Sequence, residues 1–209
     1  MTSFDRFQAP PDADMEKQRA ELAAIIRRNT SEDGSYATAV GSLFMSRHTQ
    51  SHDFAPVLAQ PALCIMAQGR KEVRLADEFF NYDPLNYLVV SVSMPLSGRV
   101  VNVSPEEPIL AVRLDIDPAE ITALIADAGP MGVPTRPTGR GLYVEKIDSA
   151  MLDAVLRLAR LLDAPKDIAM LAPLIRREIL YRLLRSPQGH RLYEIAIANS
   201  QSHRISQAI

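Results

Sequence analysis

The chain carries one cysteine, Cys64, in 209 residues, so no intrachain disulfide can form. It has no apolar run near the roughly 18 residues that a membrane-spanning helix needs. Its opening stretch, Met1 to Asp12, lacks the basic segment followed by an apolar one that marks a secretory signal. Together these features point to the cytoplasm. Positive charge is also missing in excess: 23 Lys and Arg face 25 Asp and Glu, for a net charge of −2 and a pI near 6.1. Surfaces that live on phosphate contacts usually show clustered basic charge, so this chain by itself is not expected to bind nucleic acid. There is no Ser/His/Asp order, no phosphate-cradling glycine loop and no CxxC pair, and hence no ready enzyme signature. Internal repeats and low-complexity tracts are absent too.

What remains is an ordinary globular composition, 47% hydrophobic and 23% charged. The length suits one large domain, or one domain with a helical appendage. Three sections differ in texture. Residues 1–35 form an arm whose residues 13–29 read as an amphipathic helix, with Met15, Leu22, Ile25 and Ile26 near helical spacing and Glu16, Lys17, Arg19, Arg27 and Arg28 between them. Residues 36–116 read as short strands broken by turns every 8–12 residues or so, the pattern of a sandwich or small barrel. Gln68-Gly69 is placed at a hairpin turn, where positive φ is cheap for glycine, and Asp83-Pro84 ends a strand.

Residues 117–209 read as helical. Asp117 is a candidate N-cap, Pro118 suits the first helical position, and Glu120 is placed to reach back to the cap. Gly129 to Gly141 is a Gly- and Pro-rich loop. The stretches 149–162 and 173–184 are amphipathic, and Ser186-Pro187 starts a third helix whose Leu192, Ile195 and Ala196 suggest packing. The terminal His203 to Ile209 resembles the start of a helix without a cap, an expectation that a further domain follows.

Three stretches resemble the N-terminal domain of one subgroup of AraC-type transcription regulators. They are Pro61 to Val73; Tyr82 to Pro95, continued at Ala111 to Pro118; and Leu171 to Leu184, continued to His203-Arg204-Ile205. The resemblance spans about residues 36–209. It implies an α+β fold: an N-terminal helix, a cupin-like β-barrel of the jelly-roll type, and a C-terminal helical subdomain. It further implies two helix-turn-helix motifs after residue 209, so that promoter DNA is contacted only by that missing domain. The implied role is small-molecule sensing and homodimerisation, with no cofactor and no catalysis. The effector is unknown.

Candidate site residues follow. His48 and His52, four apart, could share a metal, as metal-dependent cupin enzymes do; against that, no third histidine lies near, and the surroundings Ser46 to Asp53 are polar and loop-like. Cys64, in Leu63-Cys64-Ile65-Met66, reads as a small packed hydrophobe; Met66 and Tyr87 are core or pocket lining. Arg113 alternates in phase with Ile109 and Ala111 and out of phase with Leu110, Val112 and Leu114. An inward Arg113 would anchor an anionic effector. The second set is the more apolar, which favours an outward Arg113. Gln68-Gly69-Arg70-Lys71 reads as a turn with solvated charges. In AraC-type regulators the helices after the barrel commonly form the dimer contact, which makes Leu152, Val155, Leu156, Ile175, Ile179 and Leu183 the candidate dimer residues.

Overall fold

The computed structural model describes residues 13–128 and 141–193. The readings of the 129–141 loop (apart from Gly141), of Ile195 and Ala196, and of His203 to Ile209 lie outside them.

The expected arm is a helix, α1 (Ala13–Asn29). Asp14 and Glu16 sit in its first turn and Arg27 and Arg28 in its last, each matching the helix dipole. Leu22, Ala23, Ile25 and Ile26 are its buried face. Burial of each large aliphatic side chain contributes about 1.5–3 kcal/mol. The helix is therefore part of the core and not a detached arm.

Among the described residues ten strands form two antiparallel sheets. Sheet A holds β1 (Gly34–Ala37), β2 (Leu43–His48), β9 (Ile109–Asp115), β4 (Ala62–Gln68), β7 (Asn86–Val90) and β10 (Leu142–Lys146), side by side in that order. Sheet B holds β3 (His52–Ala59), β8 (Met94–Val100), β5 (Lys71–Leu75) and β6 (Glu78–Tyr82), again in that order. The expected cupin-like, jelly-roll type of fold is present as two facing sheets, a β-sandwich with helices before and after it. Strand β10 belongs to sheet A through its pairing with β7, so the section from 117 onward is not purely helical.

The Gly69 turn is real but joins different partners than a hairpin would. Gly69 has φ +81°, and β4 and β5 lie in separate sheets, so the chain crosses here from A to B. A Cβ at Gly69 would sit 2.8 Å from Ile109 Cγ1. Gln68 braces the crossing: it receives a hydrogen bond from Arg27 at 2.6 Å and donates one to the Pro108 carbonyl at 2.8 Å.

Three more α-helices have both ends among the described residues, and a further helical stretch begins at residue 190. In α2 (Pro118–Ala128) Asp117 accepts from the Ala119 N–H at 2.8 Å, as expected of a cap. Glu120 does not reach back; it pairs with Arg176 instead. Helix α3 (Ser149–Arg160) is capped by Asp148, whose Oδ1 accepts from the Met151 N–H at 2.7 Å. Helix α4 (Ile168–Arg185) carries Pro173 inside it, where the ring removes the i→i−4 hydrogen bond to the Ala169 carbonyl. Among the described residues no helix is long and apolar enough to cross a membrane.

The central strands of sheet A, β9, β4 and β7, carry buried side chains on both faces. Leu43, Leu63, Ile65, Val89, Leu110, Val112 and Leu114 join α1, α3 and α4 in one cluster. Met66, Leu88, Val90, Ile109 and Ala111, from the opposite face, join Val73, Tyr82, Leu96 and Val100 of sheet B in a second cluster. The helices and the inter-sheet core therefore share one wall.

Candidate functional site

The space between the sheets is not fully filled. One chamber of about 230 Å³ is lined by Val73, Leu88, Val90, Leu96 and Gly98, with Val57 and Leu58 at 51% and 64% exposure forming its rim. A second chamber of about 170 Å³ is lined by Ser46, His48, Met66, Ile109 and Ala111. Cys64, Lys71, Tyr82 and Arg113 line both. Each volume lies below the roughly 300–1,000 Å³ of a drug-sized pocket, so the space suits a small molecule.

Lys71 is the residue that the sequence reading missed. It begins β5 in phase with Val73 and Leu75, while Glu72 and Arg74 point the other way. That alternation was visible in Lys71-Glu72-Val73-Arg74-Leu75, but the preceding turn made Lys71 look like a solvated charge. Register places Tyr82 directly opposite it on β6 and Val100 opposite it on β8. Side chains so paired have Cβ atoms about 4.5–5.5 Å apart. Gly98 makes room for the lysine stem: a Cβ there would sit 3.0 Å from Lys71 Cε. Among the described residues Lys71 has no ion pair or side-chain hydrogen bond. Burial holds its ammonium below the usual lysine range, with the Cys64 thiol a lesser, opposing influence.

Cys64 and Met66 face the same space. Burial pushes the Cys64 thiol up to about 11, so it is neutral and a poor nucleophile at neutral pH. Met66 is wholly buried. Tyr82 is buried, and burial raises its phenol well above the usual range, so it stays protonated.

Arg113 corrects an expectation. The more apolar set, Leu110, Val112 and Leu114, faces the helices, and Arg113 shares the inter-sheet face with Ile109 and Ala111. The comparison of apolarity failed because the helix layer demands more burial than the interior of the sandwich. Arg113 lies at the rim, 4.1 Å from the Phe44 ring centroid, with its Nε donating to Asp115 Oδ1 at 2.8 Å.

Tyr87 does not join this group. It lies on the helix-facing side of β7, where its hydroxyl donates to Glu145 Oε2 at 3.1 Å. One residue of offset along a strand moves a side chain to the other face.

His48 and His52 are on strands and not in a solvated loop: His48 ends β2 and His52 opens β3. Their ring centroids are 6.2 Å apart, edge to face. Burial lowers the His48 pKa first, with the Lys71 charge adding to it. Among the described residues no group of three or more His, Cys, Asp or Glu is placed to hold a metal.

The expected dimer residues are likewise displaced. Leu152, Val155, Leu156, Ile175, Ile179 and Leu183 are each 9% exposed or less, inside the helix–sheet core. Their amphipathic pattern reported burial correctly, but the chain's own sheet covers them. The exposed apolar side chains of α4 are Met170, Leu171, Leu174 and Tyr181, at 74%, 42%, 63% and 42%.

A two-sheet sandwich with an apolar internal cavity and helices behind one wall is the build of a small-molecule-binding module. The family described as AraC-type transcriptional regulator N-terminus matches residues 39–191, and the chain belongs to that family. Solved structures of ToxT from Vibrio cholerae are similar at low identity. An apo, substituted form is 8% identical, with a TM-score of 0.48 over 71% of this chain and 58% of that one. Wild-type ToxT with an unsaturated fatty acid bound is 9% identical, with a TM-score of 0.45 over 75% of this chain and 57% of that one. The match thus spans a little over half of those solved chains. No curated protein matches the chain.

Proposed function

We propose that this chain is the effector-sensing and dimer-forming portion of a cytoplasmic AraC-type transcription regulator. The observation that carries this reading is the cavity between the sheets, apolar on most sides and holding Lys71 and Arg113. A small molecule enters at the Val57–Leu58 rim and rests against β4, β5 and β7. The role is regulatory and not catalytic, and it requires no cofactor. The DNA contact belongs to the helix-turn-helix part that such regulators carry after this domain.

Sheet A gives the signal its path. Leu88 and Val90 face the cavity from β7, while Val89 on the same strand packs with the helices. A ligand that favours one setting of this strand over another shifts the helices by its differential affinity, and through them the attached DNA-binding part. Dimerisation uses the Met170, Leu171, Leu174 and Tyr181 side of α4.

A thermal-shift screen of small aldehydes, alcohols and aromatic acids tests the reading. At 100 times its Kd a specific ligand adds about 2.7 kcal/mol. For a chain of this size that raises Tm by about 5–10 °C. Leu88→Trp, which fills the cavity, abolishes the shift. An equal shift in this variant counts against the cavity as the site.

A further inference from the structure

We propose that the effector class is a small apolar aldehyde, captured reversibly as an imine on Lys71 Nζ. This deepens the reading of the cavity as the effector site and rests on it.

Composition gives the first reason. Only four of the 23 basic residues are lysines, and Lys17, Lys146 and Lys166 are exposed. Elsewhere the chain uses arginine to hold carboxylates, as in Arg157–Glu178, Arg160–Glu21 and Arg176–Glu120. Arginine binds anions better through its planar fork, but it does not give up its proton in a protein. Of the two basic side chains that line both chambers, Lys71 and Arg113, only Lys71 is of the type that can become a neutral nucleophile.

The second reason is the setting. Lys71 lies over Gly98 among Val73, Leu88 and Leu96, and no carboxylate among the described residues pairs with it. Burial favours its neutral amine. The carboxylate nearest the mouth, Asp115, already holds Arg113. With Arg113 committed to that pair, the rim offers no unpaired cation to draw in an anionic ligand, and an uncharged aldehyde needs none. Tyr82, opposite Lys71 in register and lining both chambers, stays protonated and is the acid available beside the amine.

The chemistry closes without a further reagent. The Nζ lone pair forms a C–N bond with the carbonyl carbon as the C=O π pair moves to oxygen. That oxygen takes a proton, with Tyr82 as donor and the amine restoring it. The carbinolamine then loses water and becomes a C=N imine, the two amine hydrogens leaving in that water. Hydrolysis reverses each step, so occupancy follows aldehyde concentration.

The 209-residue chain is incubated at neutral pH with hexanal and sodium cyanoborohydride, which reduces an imine to a stable hexylamine, and the adducts are mapped by peptide mass spectrometry. Labelling of Lys71 is expected to exceed that of Lys17, Lys146 and Lys166 by about tenfold or more, as proximity within a site provides. Lys71→Arg and Lys71→Met are expected to lose this adduct while keeping a cooperative melt. Equal labelling of all four lysines, or none at Lys71, overturns the proposal. Hexanoate and 1-hexanol run alongside as probes that cannot form an imine. If either stabilises the protein as much as hexanal does while no Lys71 adduct forms, the imine is overturned and the cavity reading stands. If no probe stabilises it and no adduct forms, both fall.

Discussion

Replacing Leu156 by Ala separates the two roles that an amphipathic helix face can have. Leu156 is completely buried on α3 within the cluster that includes α1, α4 and sheet A. Removing a leucine side chain from such a position costs about 2–5 kcal/mol, the transfer term plus that of the cavity left behind. For a domain of this size each kcal/mol lowers Tm by about 2–4 °C, so a mid-range loss lowers it by about 7–14 °C. Leu174 on α4 is 63% exposed. Its change to Ala alters stability by no more than about 0.5 kcal/mol. The assays are calorimetric melting at one fixed protein concentration and sedimentation velocity across a dilution series. Leu156→Ala is expected to melt early with its self-association intact. Leu174→Asp is expected to keep its monomer fold and weaken the dimer proposed to form through this face. A Leu156→Ala protein that dissociates without loss of Tm, or a Leu174→Asp protein that associates as before, refutes the assignment of these faces.

Three further outcomes follow from particular contacts. Lys71→Met is expected to gain about 1 kcal/mol near neutral pH by removing an unpaired, desolvated ammonium. The folded-state pKa of Lys71 lies below its ordinary 10.5, so the unfolded chain binds the extra proton between those two values. The wild type therefore regains stability as pH rises through that window, and denaturant melts from pH 7 to 10 are expected to show the advantage of the Met variant shrinking. Gly69→Ala is expected to cost about 1–3 kcal/mol, since it forces a side chain onto positive φ and against Ile109; urea titration reads the loss. Asp148→Ala removes the α3 cap and is expected to cost about 1 kcal/mol by the same assay.

What could be read ahead of the structure depended on whether the information was local. Helix α1 was legible to the residue because its apolar spacing and end charges all lie within one segment. The positive φ at Gly69 was legible for the same reason. That the turn crosses between sheets was not, because pairing of β5 with β8 is set by residues far along the chain. Alternation along β9 separated its two faces correctly but could not name them, since sheet A has apolar neighbours on both sides. Arg113 was placed outward on that account, whereas the core reading of Tyr87 agrees with its burial beside the helices. Lys71 was overlooked because a charge beside a glycine turn usually meets water. Only the stacking of sheet A over β5 turns it inward.

The most direct test of the cavity as the sensing site is methyl-resolved NMR of the labelled chain during titration with the best stabilising compound from the thermal screen. The account predicts that the largest shifts fall on the methyls of Val73, Leu88, Val90 and Leu96, with smaller changes at Val89 across the sheet. Largest shifts at the exposed Met170 or Leu174, with the inter-sheet methyls unmoved, would contradict it.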